Sequence, residues 1–407
     1  MKLALIIDDY LPKSTRVGAK MFHELALELN SQGHCVTVIT PCSEQDKDLV
    51  IGKFSDVTVW YFKSGPVKNV SKFQRVVNET LLSFKAWKAI HSYVKHDSFD
   101  GVIYYSPSIF WGNLVKRIKN RCQCPSYLVL RDFFPQWVID AGIVKDGSLI
   151  EKYFRFFERI TYNQANHIGL MSEKNLELFS TKNQHYSCEV LRNWTSISPV
   201  FSQHVDYTSI RERLSLQDKI IFFYGGNIGH AQDMANLMRL ARNMQNHENA
   251  HFLFVGQGDE VELINSLATQ WGLKNYSYLP SVKQEEFKSI LAEIDVGLFS
   301  LSAQHSTHNF PGKLLGYMAE SLPILGSVNS GNDLQDLVNN HGAGFIHING
   351  EDEKLVLSAE KLYFDELLRH SMGDNAKQLM IDKFSVKSAV QLITARLKEL
   401  TEKPHNA

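Results

Sequence analysis

The amino-acid sequence predicts an α/β protein in which two doubly wound domains, each built on a parallel sheet, face a cleft. Both halves of the chain alternate short apolar runs with helical periodicity, the order that is typical of βαβ units. The 407 residues are enough for two ordinary domains. Hydrophobic residues make up 44% of the chain and charged residues 21%, which predicts a large packed core.

The predicted strands are short apolar runs bounded by polar or glycine-containing segments. In the first half they are Leu3–Ile7, Val36–Thr40, Val57–Phe62, Val102–Tyr105, Tyr127–Leu130 and Ile168–Met171. In the second half they are Ile220–Tyr224, Phe252–Val255, Ser277–Leu279, Val296–Phe299 and Pro323–Leu325. A helix from about Lys20 to Gln32 carries one apolar stripe, and Gly33 caps its end. We expect Rossmann-like domains at 1–198 and 199–380.

Composition excludes several classes of protein. The five cysteines do not suggest a disulfide framework, and no Cys/His cluster has the spacing of a zinc site. No apolar run reaches the roughly 20 residues that span a bilayer. The apolar run at the N-terminus is short and is followed by Asp8 and Asp9, so we interpret it as a strand. We expect a cytoplasmic protein without a cofactor or metal and without nucleic-acid partners.

The net charge of −1 is unevenly distributed along the chain. Residues 63–121 contain 11 basic and 3 acidic side chains, with aromatic residues among them. A basic helix with aromatic side chains is typical of a surface that attaches to anionic lipid. An ordinary helix with an apolar core face and a solvated lysine face has the same pattern. A membrane surface is therefore one possible partner.

The segment 308–319 follows an apolar strand and leads into an amphipathic helix. Pro311 suits the first turn of a helix, and Gly312 lets a ligand approach the backbone. The N–H groups of the turn, formed with Asn309 and Phe310, and the charge of Lys313 would favour a phosphate. The alternative is a strand–helix turn that binds nothing, with a solvated lysine.

Two more glycine-rich loops follow predicted strands of the second half. The first contains Gly225, Gly226, Asn227, Gly229 and His230, and resembles a backbone cradle for phosphate oxygens. The second, at 256–258, is Gly256-Gln257-Gly258, where a flat base could lie against the backbone. Together with Lys313, these loops indicate a nucleotide diphosphate held without an acidic metal cage.

Two loops of the first half also follow strands. The loop at 8–20 contains Thr15 and Arg16, with Gly18 at a helix start that could approach a substrate. Arg131 and Asp132 follow another strand and precede aromatic residues. The alternatives are a plain connecting loop and a structural ion pair. The loop at 8–20 lacks GxGxxG and is not a dinucleotide fingerprint.

These segments, in this order, resemble glycosyltransferase family 4, whose members are retaining enzymes with the GT-B fold. The similarity covers nearly the whole chain and is carried by segments 33–40, 165–173, 254–258 and 294–296. Residues 131–137 and 305–313 resemble bacterial O-antigen or capsule enzymes of the WbuB type, the L-fucosamine transferases. The resemblance also implies that 381–407 is a helix that returns to the first domain.

The chain departs from the family pattern at several positions. The two glutamates of the family's Glu-x7-Glu motif would fall at His308 and Gly316, so both are missing. Asp259 or Glu260 could contact the ribose instead. The family's His before Asp in the first domain is Arg131 here. Lys313 remains as the clear cation at the diphosphate.

The resemblance implies transfer from a UDP-sugar, here UDP-N-acetyl-L-fucosamine, to a polyprenyl-diphosphate-linked glycan at the inner membrane. Lys313, His308, Arg131 and Asp132 would be the catalytic residues. The two glycine-rich loops, the turn at 309–312 and Gly18 would bind the donor, and Thr15 and Arg16 would belong to an acceptor loop. Two other functions stay open, a UDP-sugar 2-epimerase of the same fold and a non-catalytic partner that binds nucleotide sugars.

Overall fold

The computed structural model describes residues 1–14, 16–66, 70–106, 108–140, 142–196, 207–304 and 312–402. The chain divides into two compact units. The first unit combines Met1–Ser196 with Val386–Ala407, and the second unit is Ile197–Ser385.

The first unit is built on an eight-stranded sheet. Its strands are β1 Lys2–Ile6, β2 Cys35–Cys42, β3 Leu49–Phe54, β4 Val57–Lys63, β5 Gly101–Ser106, β6 Ser126–Leu130, β7 His167–Leu170 and β8 Cys188–Val190. They are arranged in the order β3-β4-β2-β1-β5-β6-β7-β8. Every neighbouring pair is parallel except β3 and β4, which are antiparallel.

Helices cover both faces of this sheet. They are α1 Val17–Ser31, α2 Lys72–Thr80, α3 Leu82–Ile90, α4 Gly112–Cys122, α5 Gln136–Asp140, α6 Leu149–Tyr162 and α7 Glu173–Lys182, and the last helix of the chain, α16 Val386–Glu402. Along β1, Leu3 and Leu5 pack into the core beneath α1 and α16, while Ala4 and Ile6 pack into the core on the other face. This alternation follows from the two-residue period of a strand.

The second unit contains a six-stranded parallel sheet. Its strands are β9 Ile220–Asn227, β10 Ala250–Gln257, β11 Tyr276–Pro280, β12 Val296–Ser300, β13 Ile324–Val328 and β14 Gly344–Ile348, in the order β11-β10-β9-β12-β13-β14. Its helices are α8 Ile210–Arg213, α9 Met234–Asn243, α10 Val261–Trp271, α11 Gln284–Leu291, α12 Lys313–Ala319, α13 Asp333–Asn340, α14 Asp352–Phe364 and α15 Glu366–Lys383. Phe223 packs on one face of β9, and Phe222 and Tyr224 pack on the other.

The predicted α/β class with two Rossmann-like parallel-sheet domains is confirmed, although the sheets contain more strands than we predicted. The strands β3, β8 and β14 are absent from the prediction. β3 is an edge strand in which every residue is exposed or half-buried, and its short apolar run, Leu49–Ile51, ends at Gly52 and Lys53. Within the described ranges, no helix is both long and apolar enough to cross a lipid bilayer.

Candidate functional site

The carboxyl ends of β9 and β10 lie side by side in the second unit, and they extend further than the sequence indicates. Gly225, Gly226 and Asn227, which we interpreted as loop residues, belong to β9, and Gly256 and Gln257 belong to β10. The two strands pair in parallel through these residues, with Gly226 opposite Gly256. The prediction of a loop was wrong here because glycines, which usually interrupt strands, permit an unusually close pairing of two backbones.

Two of these glycines have no room for a side chain. A Cβ on Gly256 would lie 1.8 Å from the carbonyl oxygen of Gly226, and one on Gly258 would lie 2.1 Å from that of Ile228. Gly258 also has a φ of +156°, which L-residues rarely adopt. The N–H of Ile228 donates to the carbonyl of Gln257. The edge formed by 226–229 and 256–258 is therefore a tightly packed backbone surface.

Part of the predicted phosphate cradle is already hydrogen-bonded within the protein. The N–H of Gly225 donates to the Tyr317 hydroxyl at 3.2 Å. The N–H of His230, which follows the extended Gly229, donates to Asp259 at 3.3 Å. These two N–H groups stabilise the loop, so the cradle that we predicted from them is smaller than its glycine content indicates.

The polar side chains of this loop also contact one another. Asn227 donates its amide to Gln232 at 2.7 Å. Glu260 accepts from the N–H of Met234 at the start of α9, and lies 3.3 Å from Nδ1 of the exposed His230. Asp259 and Glu260 thus both accept hydrogen bonds that stabilise the loop. They are the two acids that could replace the missing ribose contact.

The charged side chain of Lys313 lies at this edge. It is the first residue of α12, and its Nζ lies 3.5 Å from the centroid of the Tyr224 ring. A Cβ on Gly226 would lie 3.9 Å from the same nitrogen. The nitrogen is buried and has no hydrogen-bond partner among the described residues. Burial lowers the pKa of Lys313 from 10.5 to about 7.

The turn before α12 is only partly described. Gly312 is exposed, has helical dihedral angles, and has open space where a Cβ would be. His308, Asn309, Phe310 and Pro311, for which we predicted catalytic or donor-binding roles, lie outside the described residues. Their roles stay predictions.

A cavity of about 640 Å³ lies beside the Gly256–Gly258 turn in the second unit. Its lining is formed by residues at the end of β11 and the start of α11, and by a residue of α8: Leu279, Pro280, Ser281, Val282, Lys283, Glu286 and Arg213. Ser281 donates to the side chain of Gln257 at 3.1 Å, which joins the cavity wall to the turn.

In the first unit, Arg131 and Asp132 follow β6, as predicted. The Arg131 guanidinium donates to the carbonyl of Arg192 at 3.0 Å and lies 5.3 Å from the Trp194 ring. Burial lowers the pKa of Arg131 to about 10. Its Nε is buried and, in the described part of the chain, unpaired. A contact between this residue or Asp132 and a substrate stays a prediction.

The predicted acceptor loop lies at the end of β1. Arg16 precedes α1 and forms a 3.5 Å ion pair with Asp9. Gly18 lies in the first turn of α1, where a Cβ would be 3.0 Å from the Tyr105 hydroxyl. Thr15 lies outside the described residues. The structure therefore brings Arg16 and Gly18 to the carboxyl edge of the first sheet, where β1 and β5 end.

Two residues of interest were not singled out from the sequence. Burial raises the pKa of Asp8, directly after β1, to about 6, with Asp9 adding to the shift and Arg16 opposing it. Tyr224 supplies the ring beneath Lys313. Two adjacent acids after a buried strand could have indicated Asp8. Tyr224 reads as an ordinary core residue of a strand, and no local pattern marks it.

A parallel sheet with a buried cation and close-packed glycines at its carboxyl edge is typical of domains that bind phosphorylated ligands. The second unit has this arrangement. Among the described residues, no group of three or more His, Cys, Asp or Glu side chains is placed to hold a metal ion.

Part of the chain is similar to proteins of one known family. Residues 206–379 match the family model of glycosyl transferases group 1. The chain is 25% identical over 222 residues to WbjE of Pseudomonas aeruginosa, named as a probable glycosyltransferase, and this match spans 54% of each chain. It is 24% identical over 344 residues to WcaI of Escherichia coli strain K12, a candidate colanic acid biosynthesis glycosyl transferase, covering 78% of this chain and 81% of WcaI.

Two solved structures share the fold. WaaG, a glycosyltransferase involved in lipopolysaccharide biosynthesis, superimposes with a TM-score of 0.59 at 15% identity, over 97% of this chain and 99% of WaaG. HepE from Anabaena, in complex with UDP-glucose, has a TM-score of 0.63 at 15% identity, over 98% of this chain and 100% of HepE. These structures show that the chain has the GT-B fold.

Proposed function

We propose that the protein is a metal-independent, retaining glycosyltransferase that moves a sugar from a UDP-sugar to a polyprenyl-diphosphate-linked glycan. The position and burial of Lys313 are the main support for this proposal. Its buried nitrogen has no hydrogen-bond partner among the described residues, and it lies at the edge where phosphorylated ligands bind in such sheets.

A buried ammonium without hydrogen bonds is unfavourable, because it has lost its hydration. The Tyr224 ring offsets part of this loss, by about 2 kcal/mol for a desolvated cation–π pair. A diphosphate would supply the charge and the acceptor oxygens that the protein leaves out. Lys313 is thus preorganised for an anion, and the cost of desolvating it has been met during folding.

In the proposed reaction, the bond between the sugar C1 and the UDP β-phosphate oxygen breaks, and its electron pair stays on that oxygen. Lys313 stabilises the negative charge that develops there. The acceptor hydroxyl attacks C1 from the same face, which retains the configuration without an enzymic nucleophile. The hydroxyl proton passes to a phosphate oxygen of the departing UDP.

The proposed donor is UDP-N-acetyl-L-fucosamine. The uracil would lie against the Gly256–Gly258 backbone and the neighbouring 640 Å³ cavity. HepE, which shares the fold, is named as a complex with UDP-glucose, which supports a uridine nucleotide. The sugar is proposed from the resemblance of residues 131–137 and 305–313 to L-fucosamine transferases.

The proposed pathway is the synthesis of O-antigen or capsule on a lipid carrier, at the inner face of the cytoplasmic membrane. WcaI is named for colanic acid biosynthesis and WaaG for lipopolysaccharide biosynthesis, which supports a role in surface polysaccharides. The lipid-linked acceptor is proposed from the same type of pathway.

A transfer assay tests the proposal. The protein is incubated with UDP-, GDP- and dTDP-sugars, including UDP-N-acetyl-L-fucosamine, and a synthetic polyprenyl-diphosphate N-acetylhexosamine, with EDTA present. Mass spectrometry should show a product that gains one sugar from a UDP donor, with retained anomeric configuration by NMR. Isomerisation of the nucleotide sugar would favour an epimerase, and binding without turnover would favour a non-catalytic partner.

Binding of UDP should take up a proton. With a pKa of about 7, Lys313 is mostly neutral at pH 8 in the free protein. A diphosphate beside it raises that pKa, so calorimetry at pH 8 in buffers of different ionisation enthalpy should report uptake of about 0.9 proton. UDP affinity should accordingly fall as the pH rises from 7 to 8.5.

The variant Lys313→Arg is the matched control, because a guanidinium stays charged throughout this pH range. Its UDP binding should be independent of pH between 7 and 8.5 and should take up no proton. Proton uptake by the variant equal to that of the unchanged protein would assign the uptake to another group and contradict the role of Lys313.

A further inference from the structure

Two helices of the first unit leave large apolar side chains exposed to solvent. Phe73 and Val77 of α2 are 80% and 40% exposed. On α6 the exposed fractions are 84% for Leu149, 59% for Ile150, 37% for Tyr153 and 59% for Phe156. We call these six residues the α2–α6 surface. Single exposed apolar residues are ordinary, but a group on neighbouring helices marks a binding surface.

Contacts between the helices place these residues on one side of the unit. Thr80 of α2 and Tyr153 of α6 are hydrogen-bonded at 2.5 Å. Beneath them, Val76 packs against a small cluster that contains Phe154. Phe73 and Val77 lie one turn apart around Val76, and Leu149, Tyr153 and Phe156 recur at the spacing of one helix face. Both helices therefore bury part of their apolar face and expose the rest.

The charges around this surface have one predominant sign. On α6 the acidic side chains are turned inward: Glu151 and Glu158 are only 14% and 13% exposed and pair with Arg155. Lys152 and Arg159 are the exposed charges of this helix and flank Phe156. On α3, which follows α2 directly, the two charged side chains are both basic: Lys85 is half-buried, and Lys88 is exposed and lies 3.4 Å from Asp48.

We propose that the α2–α6 surface docks on an anionic lipid bilayer, with its apolar side chains in the headgroup region and the flanking lysine and arginine side chains on lipid phosphates. A bilayer is proposed as the partner because its anionic phosphates complement the basic side chains around this surface. In a two-fold pair with a second copy of the chain, the same basic side chains would face each other, and like charges would oppose the contact. The basic 63–121 region that we identified in the sequence includes α2 but not α6. The part of the surface that α6 forms was not predicted from the sequence.

This docking rests on the proposed function and deepens it, because it names the partner that presents the acceptor. A polyprenyl carrier keeps its diphosphate and glycan at the bilayer surface. An enzyme held at that surface meets its acceptor in two dimensions instead of three, which raises the effective acceptor concentration.

Flotation of the protein with lipid vesicles tests the proposal without any substrate. Vesicles of phosphatidylglycerol and phosphatidylethanolamine should bind the protein, and vesicles of phosphatidylcholine should bind it far less. The combined variant Phe73→Ser, Leu149→Ser and Phe156→Ser should lower binding by at least about tenfold, since binding scales with the buried apolar area. Lys152→Ser and Arg159→Ser should each lower binding to the anionic vesicles about fivefold.

A matched control comes from the second unit, where Leu357, Phe364 and Leu367 are 58%, 72% and 82% exposed. Changing these three residues to Ser removes similar exposed apolar area and should leave vesicle binding unchanged. If the α2–α6 variant binds vesicles like the unchanged protein, the proposal is wrong. It is equally wrong if sedimentation shows a dimer that the same variant dissociates while vesicles are not bound.

The result is separable from the proposed function. UDP binding should be the same in the α2–α6 variant and in the unchanged protein, because the changed residues belong to the first unit. Vesicle binding without any sugar transfer would leave the docking surface in place and remove the proposed function. Transfer to a water-soluble, short-chain acceptor with no vesicle binding would support the proposed function and remove the docking surface.

Discussion

Replacing Lys313 by Met should lower sugar transfer by at least about a hundredfold, because the charge on the departing diphosphate would lose the cation that we propose stabilises it. The same change should stabilise the protein, by about 1–3 kcal/mol at pH 7, since a buried ammonium with no hydrogen-bond partner among the described residues is replaced by an apolar chain of similar length. A transfer assay should show lower activity of the variant than of the unchanged protein, and urea unfolding should show higher stability.

The stability difference should depend on pH in one direction. The folded protein holds Lys313 with a pKa lowered from 10.5 to about 7, so between these values it binds fewer protons than the unfolded chain. The stability of the unchanged protein therefore rises with pH in this window, and the advantage of the Met variant shrinks. Below pH 7 the advantage is complete.

Lys274→Met provides the control for Lys313, because Lys274 is an exposed lysine of the same unit. It should change neither transfer nor stability by a measurable amount. Near-normal transfer by Lys313→Met would contradict the assigned role. A loss of stability in that variant would contradict the description of Lys313 as a buried, unpaired cation.

Replacing Gly256 by Ala should lower the free energy of unfolding of the second unit by about 2–4 kcal/mol. The new Cβ would lie 1.8 Å from the Gly226 carbonyl oxygen, so β9 and β10 would have to separate at their carboxyl ends. Because Gly226 lies beside Lys313, UDP affinity should fall with stability, by at least about tenfold. Urea unfolding and a UDP titration measure the two effects.

The matched control for this glycine is Gly52→Ala in β3. A Cβ there would meet only Tyr61, at an ordinary 3.7 Å. Its free energy of unfolding should stay within about 0.5 kcal/mol of the unchanged value. A Gly256→Ala variant as stable as this control would mean that the close pairing of the two strands does not hold in solution.

Most of the fold was predictable from the sequence because buried parallel strands are continuous apolar runs. Leu3–Ile7 and Ile220–Tyr224 were found in this way. The edge strand β3 was not, because half of its residues are exposed and its apolar run of three residues ends at Gly52 and Lys53. The extension of β9 through Gly225 and Gly226 depends on a second glycine on β10, and such pairing across distant segments has no local signal.

The same distinction between local signals and contacts of distant segments applies to the candidate site. Lys313 stands out because a lysine after a strand and before a helix has a recognisable position. Its desolvation and its contact with Tyr224 do not stand out, since they depend on which strand lies beneath α12. Likewise, the sequence shows three glycines after β9 begins, but it does not show that the N–H of Gly225 is used by Tyr317.

The position of α16 has a consequence for how the protein is made. This helix supplies Val386, Val390, Ile393 and Leu397 to the core beneath α1, so the first unit needs residues from both ends of the chain. The second unit is continuous. During synthesis at about 5–20 residues per second, the second unit can fold as soon as it emerges. The first unit begins to emerge earlier but remains without part of its core until α16 has been translated, and over that interval a chaperone could bind its uncovered apolar face.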